Sequence, residues 1–276
     1  MAFKKHSIAE VPRPASTSRS ASTSSRVCVH FGALEKFVFV LPVLFGIGFY
    51  WLRSRHRLEY YSFVREDGPA EDFQALMLLG AAICSGFTAR TFFRAHERLL
   101  GTAYLLLAMA IFCVFGEEIS WGQRIIGWQS TGYFAAENVQ KETNLHNDEH
   151  IRMLLDPSIL AASVFGMMTG LLSFSFLRRG AIRASFFGTE LPTIGLFGVS
   201  AGIYAVFVHF NGVIRPYYHG FDLFLWQDLE MAETFFATGV FFTLLLKMRA
   251  ARRFFGKEVV SESPAQRSAG PLAGQL

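Results

Sequence analysis
Six apolar runs, each near the roughly 20 residues a helix needs to cross about 30 Å of hydrocarbon, constrain this chain more than any other feature. They are Phe37–Leu52, Phe73–Phe93, Leu99–Gly116, Met153–Leu177, Leu191–Phe210 and Leu223–Met248. A soluble domain has too little interior to bury six such runs. The composition agrees: 51% of the 276 residues are hydrophobic, only 17% are charged, and Phe outnumbers Trp by 30 to 4. The expected fold is an all-α integral membrane bundle of about six helices, with an outer-face helical re-entry between the third and fourth. Residues 1–33 form a Ser-, Thr- and Arg-rich tail expected to be disordered, 34–250 the membrane domain, and 251–276 a second tail.

The net charge of +4 would suggest an acidic partner in a soluble protein. Here the basic residues cluster beside apolar runs, which serves topology and argues against nucleic-acid binding. With the N-terminus inside, 18 of the 26 Lys and Arg fall on the inner side and 8 on the outer. The expectation is a multi-pass inner (plasma) membrane protein with both termini cytoplasmic. Arg53, Arg55 and Arg57 go against the bias, but Glu59, Glu66, Asp67, Glu71 and Asp72 share their connection. The three cysteines are scattered and support neither a disulfide framework nor a cysteine metal site.

Dense polarity at the mouth of an apolar run needs a separate explanation, and Phe115–Arg152 supplies that polarity. Glu117 and Glu118 lie 100° apart on a helix, so one of them, Glu118 by expectation, points into the bundle. Trp121 and Trp128 suit an interfacial belt. Asn138, Glu142, His146 and His150 recur every four residues, so if Ala135–Arg152 is helical they form a slowly rotating polar stripe. His146 and His150 at that spacing can share a divalent metal, with His209 as a third ligand; a solvated helix face has the same spacing.

In the last run Gln227, Glu230 and Glu233 share one helix face and carry carboxylates toward the membrane midplane. Two carboxyls on one face raise each other's pKa, and a neutral acid beside an anion suits proton transfer. The other half of the bundle offers Ser, Thr and Tyr, with no ionisable residue expected to continue the carboxylates across the membrane.

The run Glu117-Glu118-Ile119-Ser120-Trp121-Gly122-Gln123-Arg124, with Asn138-x-Gln140-x-Glu142-x-Asn144-Leu145-His146-Asn147 after it, resembles a signature of uncharacterised bacterial polytopic membrane proteins. That resemblance implies no activity. His146 and His150 are similar in type to the intramembrane His pair of the alkaline ceramidase-like hydrolases. Here, however, they fall in a connection, and no Asp-x-x-x-His occurs in the second or third span.

The expected function is an acid/base or metal-dependent enzyme on a lipid or lipid-linked substrate at the outer leaflet. Glu118, Glu142, Glu230 and Glu233 are its candidate catalytic groups, and Trp121, Gln123, Asn138, Asn144 and Gln227 line its substrate site. Alternatives are a transporter or small-molecule binding protein using the same vestibule, and an assembly subunit.

Overall fold
The computed structural model describes residues 31–65, 67–138, 140–213 and 228–256. Apart from one isolated bridge between Asn138 and Asp148, the regular structure among them is helical. Five helices are long and apolar enough to cross a membrane: α1 (Ala33–Arg55), α3 (Pro69–Arg94), α4 (Arg98–Glu118), α7 (Glu149–Arg178, apolar from Leu154) and α10 (Leu229–Phe255). The remaining apolar run forms α9 (Ile194–Val213), entered through a 3-10 turn at Leu191–Thr193.

Two helix ends have local causes. Pro69 opens α3 where its missing N–H is not needed, Glu71 and Asp72 meet the positive end of the helix dipole, and a Glu71 carboxylate oxygen accepts from the Asp67 N–H at 2.7 Å. Helix α4 stops because Ser120, Trp121 and Gly122 all take positive φ, at 47°, 54° and 87°. Two of these are not glycine, so the backbone there costs about 1–2 kcal/mol per residue and needs side-chain bonds to persist.

The helices pack in the order α4, α3, α10, α9, α7. Small residues allow close approach: a Cβ on Gly80 would lie 2.8 Å from the Phe241 ring of α10, and one on Gly166 the same distance from Phe197 of α9. Ser163 and Ser200 share a buried 3.0 Å hydroxyl contact between α7 and α9. Helix α1 leans on this row through Phe45 and Phe49, whose rings meet Phe235.

Arg53 has a partner that its sequence position does not suggest. It pairs at 3.1 Å with Asp228, the buried residue that precedes α10, and Tyr60 of α2 (Arg57–Val64) donates to the same carboxylate. Burial and that carboxylate push the Tyr60 hydroxyl well above its ordinary pKa, so it keeps its proton. One of the basic residues that went against the charge bias is thus an ion-pair partner.

The opposite end corrects the expectation that it holds no ionisable group. Lys247 of α10 is buried; its Nζ lies 2.9 Å from Glu190 and donates to the Ser185 carbonyl at 2.6 Å and to Ser173 Oγ at 3.1 Å. Phe92, Tyr104, Phe186 and Phe255 stack around the same end, and Arg183 binds Glu97 across two connections.

Candidate functional site
At the end of the bundle where α3 and α10 begin and α4 ends lies a cavity of about 640 Å³. Helices α3 and α10 form its back wall, α4 and α7 its sides, and the stretch after α4 its roof. Within its lining a carboxylate oxygen of Glu71, one of Glu118 and a ring nitrogen of His146 all lie within 4.8 Å of one another. Glu230 and Glu233 line the same cavity.

The roof is built from amides. Asn138 Nδ2 donates to the Asn144 carbonyl at 2.9 Å and to Asn144 Oδ1 at 2.8 Å, while Asn138 Oδ1 accepts from the N–H groups of Gln140 and Glu142. Asn144 Nδ2 donates to Ser120 Oγ at 2.8 Å and Glu142 Oε2 at 3.0 Å, and Ser120 also donates to Glu142. These bonds hold the left-handed Ser120 in place. Gln123 joins the roof from α5 (Gln123–Ile126): its Oε1 accepts from the Thr143 N–H at 2.7 Å.

Ala135–Arg152 is therefore not one helix, and the i, i+4 stripe is corrected. Helix α6 (Tyr133–Glu137) ends at Asn138, Lys141 takes φ 56°, and α7 starts only at Glu149. Asn and Thr side chains compete for backbone groups and favour such turns over helix, a pull stronger here than the periodicity. His146 thus reaches the cluster from a turn, whereas the backbone of His150 lies in α7. The side chains of His150 and His209 and all of Gln227 lie outside the described residues.

Other expectations divide plainly. Glu118 joins the cluster, whereas the Glu117 carboxylate accepts from Trp121 Nε1 at 2.8 Å and from the Leu145 N–H. Trp121 lines the cavity; Gln123, Asn138, Glu142 and Asn144 support the roof and do not line it. Glu230 and Glu233 do line it, in the first and second turns of the described part of α10, which begins at Leu229.

Each of these two has a neutral neighbour. Gln74 Nε2 donates to the Glu230 carboxylate at 3.1 Å and to the Glu230 carbonyl at 2.9 Å, and Tyr204 donates to Glu233 at 2.6 Å.

No family model, curated protein or solved structure matches the chain. The site must therefore be read from its own chemistry.

Glu71, Gln74 and Asp156 are cavity residues that sequence reasoning did not place there. Glu71 and Gln74 are three apart at the start of α3, a spacing that marks one helix face; their signal was hidden because Glu71 also serves as the helix-opening acid. The described lining residues include Glu71, Glu118, Asp156, Glu230 and Glu233.

Gly116 positions the tryptophan. A Cβ there would lie 2.8 Å from the Trp121 ring, which folds back onto α4. Gly116→Val is expected to displace the ring and destabilise the fold by roughly 1–3 kcal/mol, an overpacking effect. Thermal melting and Trp emission, compared with a Trp121→Phe background, check this. An unchanged emission maximum would show that the ring does not rest there.

Proposed function
We propose that this protein is a six-span inner-membrane enzyme that holds a divalent metal at Glu71, Glu118 and His146 and acts on a lipid or lipid-linked substrate at the outer leaflet. The observation that carries the reading is the meeting of two carboxylates and an imidazole from three separate segments in the wall of one cavity. Carboxylate and imidazole ligands sit about 2.0–2.2 Å from a metal such as zinc. Three atoms within 4.8 Å of one another need only a modest contraction to meet around one ion. Three protein ligands leave a position open for water or substrate, and a metal there supplies an acidified water or a polarised oxygen.

The chain's own groups would do the rest. Glu230 and Glu233 face the cavity from the wall shared with Glu71 and can exchange a proton with a bound molecule. Gln74 and Tyr204 fix their orientation. Burial of Glu71 beneath the roof strengthens the charge interactions it makes there.

Support for sidedness comes from charge. Arg90, Arg94, Arg98, Arg178, Arg179, Arg183, Arg249, Arg252 and Arg253 cluster at the Lys247 end, as a cytoplasmic face requires. At about 1.5 Å per residue, the 20 residues of α9 span about 30 Å, enough for a sixth crossing.

Metal analysis of the purified protein tests the site. The wild type is expected to retain stoichiometric divalent metal after gel filtration, with Glu118→Gln and His146→Ala each losing most of it while melting normally. Equal, substoichiometric metal in all three would remove the metal from this reading.

A further inference from the structure
The cavity has an unusual relation to the helices around it. Its side walls, α4 and α7, each pack on a different neighbour, α3 for the one and α9 for the other, and stand at opposite ends of the row. Between them the back wall of α3 and α10 is reached from the side of the bundle. Cys113, Val114 and Ser158 line the cavity and are also exposed on the molecular surface. They stand within two of the apolar helices, near Met109 and Phe112 on α4 and Val164 and Phe165 on α7, whose large side chains all point outward.

We infer that the space between α4 and α7 is a lateral doorway from the bilayer, and that one hydrocarbon chain of a membrane lipid lies in the cavity with its polar head at Glu71, Glu118 and His146. This rests on the proposed site and specifies its substrate as an amphiphile that enters sideways. Polarity inside the cavity is graded to match. The carboxylates and His146 gather under the roof, whereas Leu78, Ala162, Phe236 and Ala237 line it deeper along the helices. Ala162 and Ala237 each stand eight residues beyond the first apolar residue of their helices, about 12 Å at 1.5 Å per residue. A molecule that satisfies both ends needs a charged or hydrogen-bonding head and an apolar tail. The roof residues Trp121, Leu145 and Asn147 line the polar end of the cavity. The lateral route leads from hydrocarbon to hydrocarbon, so the chain never crosses water.

The test uses full-length protein in vesicles of phosphatidylglycerol doped with the same lipid carrying a diazirine on one acyl chain. After photolysis, adducts are mapped by peptide mass spectrometry. Enrichment is expected at 113–114 and 155–162 over the outward face of α7 at Phe165 and Met168. Val114→Trp, at an already exposed position, and Ala162→Trp are both expected to cut the enriched adducts about tenfold and leave those at Phe165 and Met168 unchanged. Labelling no greater at 113–114 and 155–162 than at Phe165 and Met168, or enriched labelling unaffected by Val114→Trp, would overturn the doorway. Metal content measured on the same wild-type sample separates the two ideas: enriched adducts on wild type that holds no metal leave the doorway standing and sink the metal, while stoichiometric metal without enriched adducts does the reverse.

Discussion

Glu190→Ala destabilises the bundle by about 3–5 kcal/mol, the usual consequence of removing one member of a buried ion pair and leaving the other charged in a dry interior. Lys247 is 1% exposed, and Glu190 is its only carboxylate among the described ion pairs. Lys247→Met costs less, because Glu190 is 24% exposed and can turn to solvent once the ammonium is gone. The double variant is therefore expected to be more stable than Glu190→Ala alone. Thermal melts in one detergent check all three. A Glu190→Ala protein within about 1 kcal/mol of wild type would mean that the Ser185 carbonyl and Ser173 hydroxyl suffice to hold the charge.

The second large effect concerns chemistry with the fold intact. Glu230→Gln and Glu233→Gln keep the side-chain shape, and their amide oxygens can still accept from Gln74 and Tyr204. Melting temperature should stay close to wild type in both, and metal content too, since neither residue belongs to the Glu71, Glu118 and His146 cluster. Turnover of a lipid substrate should fall by about 10²–10⁴, the range that general acid–base groups contribute. Full turnover in both would leave these acids as structural acceptors and transfer the proton chemistry to another group of the cavity.

Much of the architecture could be read from hydropathy alone, because a bilayer selects long apolar helices and little else. The runs at Phe73–Phe93 and Leu99–Gly116 correspond to α3 and α4 within a few residues. Two of the three cluster residues were legible on similar grounds: Glu118 and His146 stood out as ionisable groups next to apolar runs. Glu71 did not, since a Gly-Pro turn followed by acids is the ordinary opening of a helix and conceals a second use of one carboxylate. Lys247 escaped for a related reason. A lysine close to a basic helix end reads as a topology signal, and only packing shows that its side chain turns inward to Glu190. The four-residue recurrence from Asn138 to His150 misled because the amides at Asn138 and Asn144 satisfy backbone groups of a compact turn, an interaction that periodicity does not record.

The contact between α3 and α10 has a consequence for how the protein is made. Gln74 reaches Glu230 and Thr234 across more than 150 residues of chain, and Arg53 waits still longer for Asp228. Each early helix must therefore reside in the bilayer with an exposed amide or guanidinium until the last one arrives. A nascent chain released before Leu229 would have Glu71, Glu118 and His146 but not the α10 wall beside them. Such fragments would present open polar grooves to lipid, surface on which incompletely folded chains misassemble, so completing the cavity and escaping misassembly would come with the same final insertion.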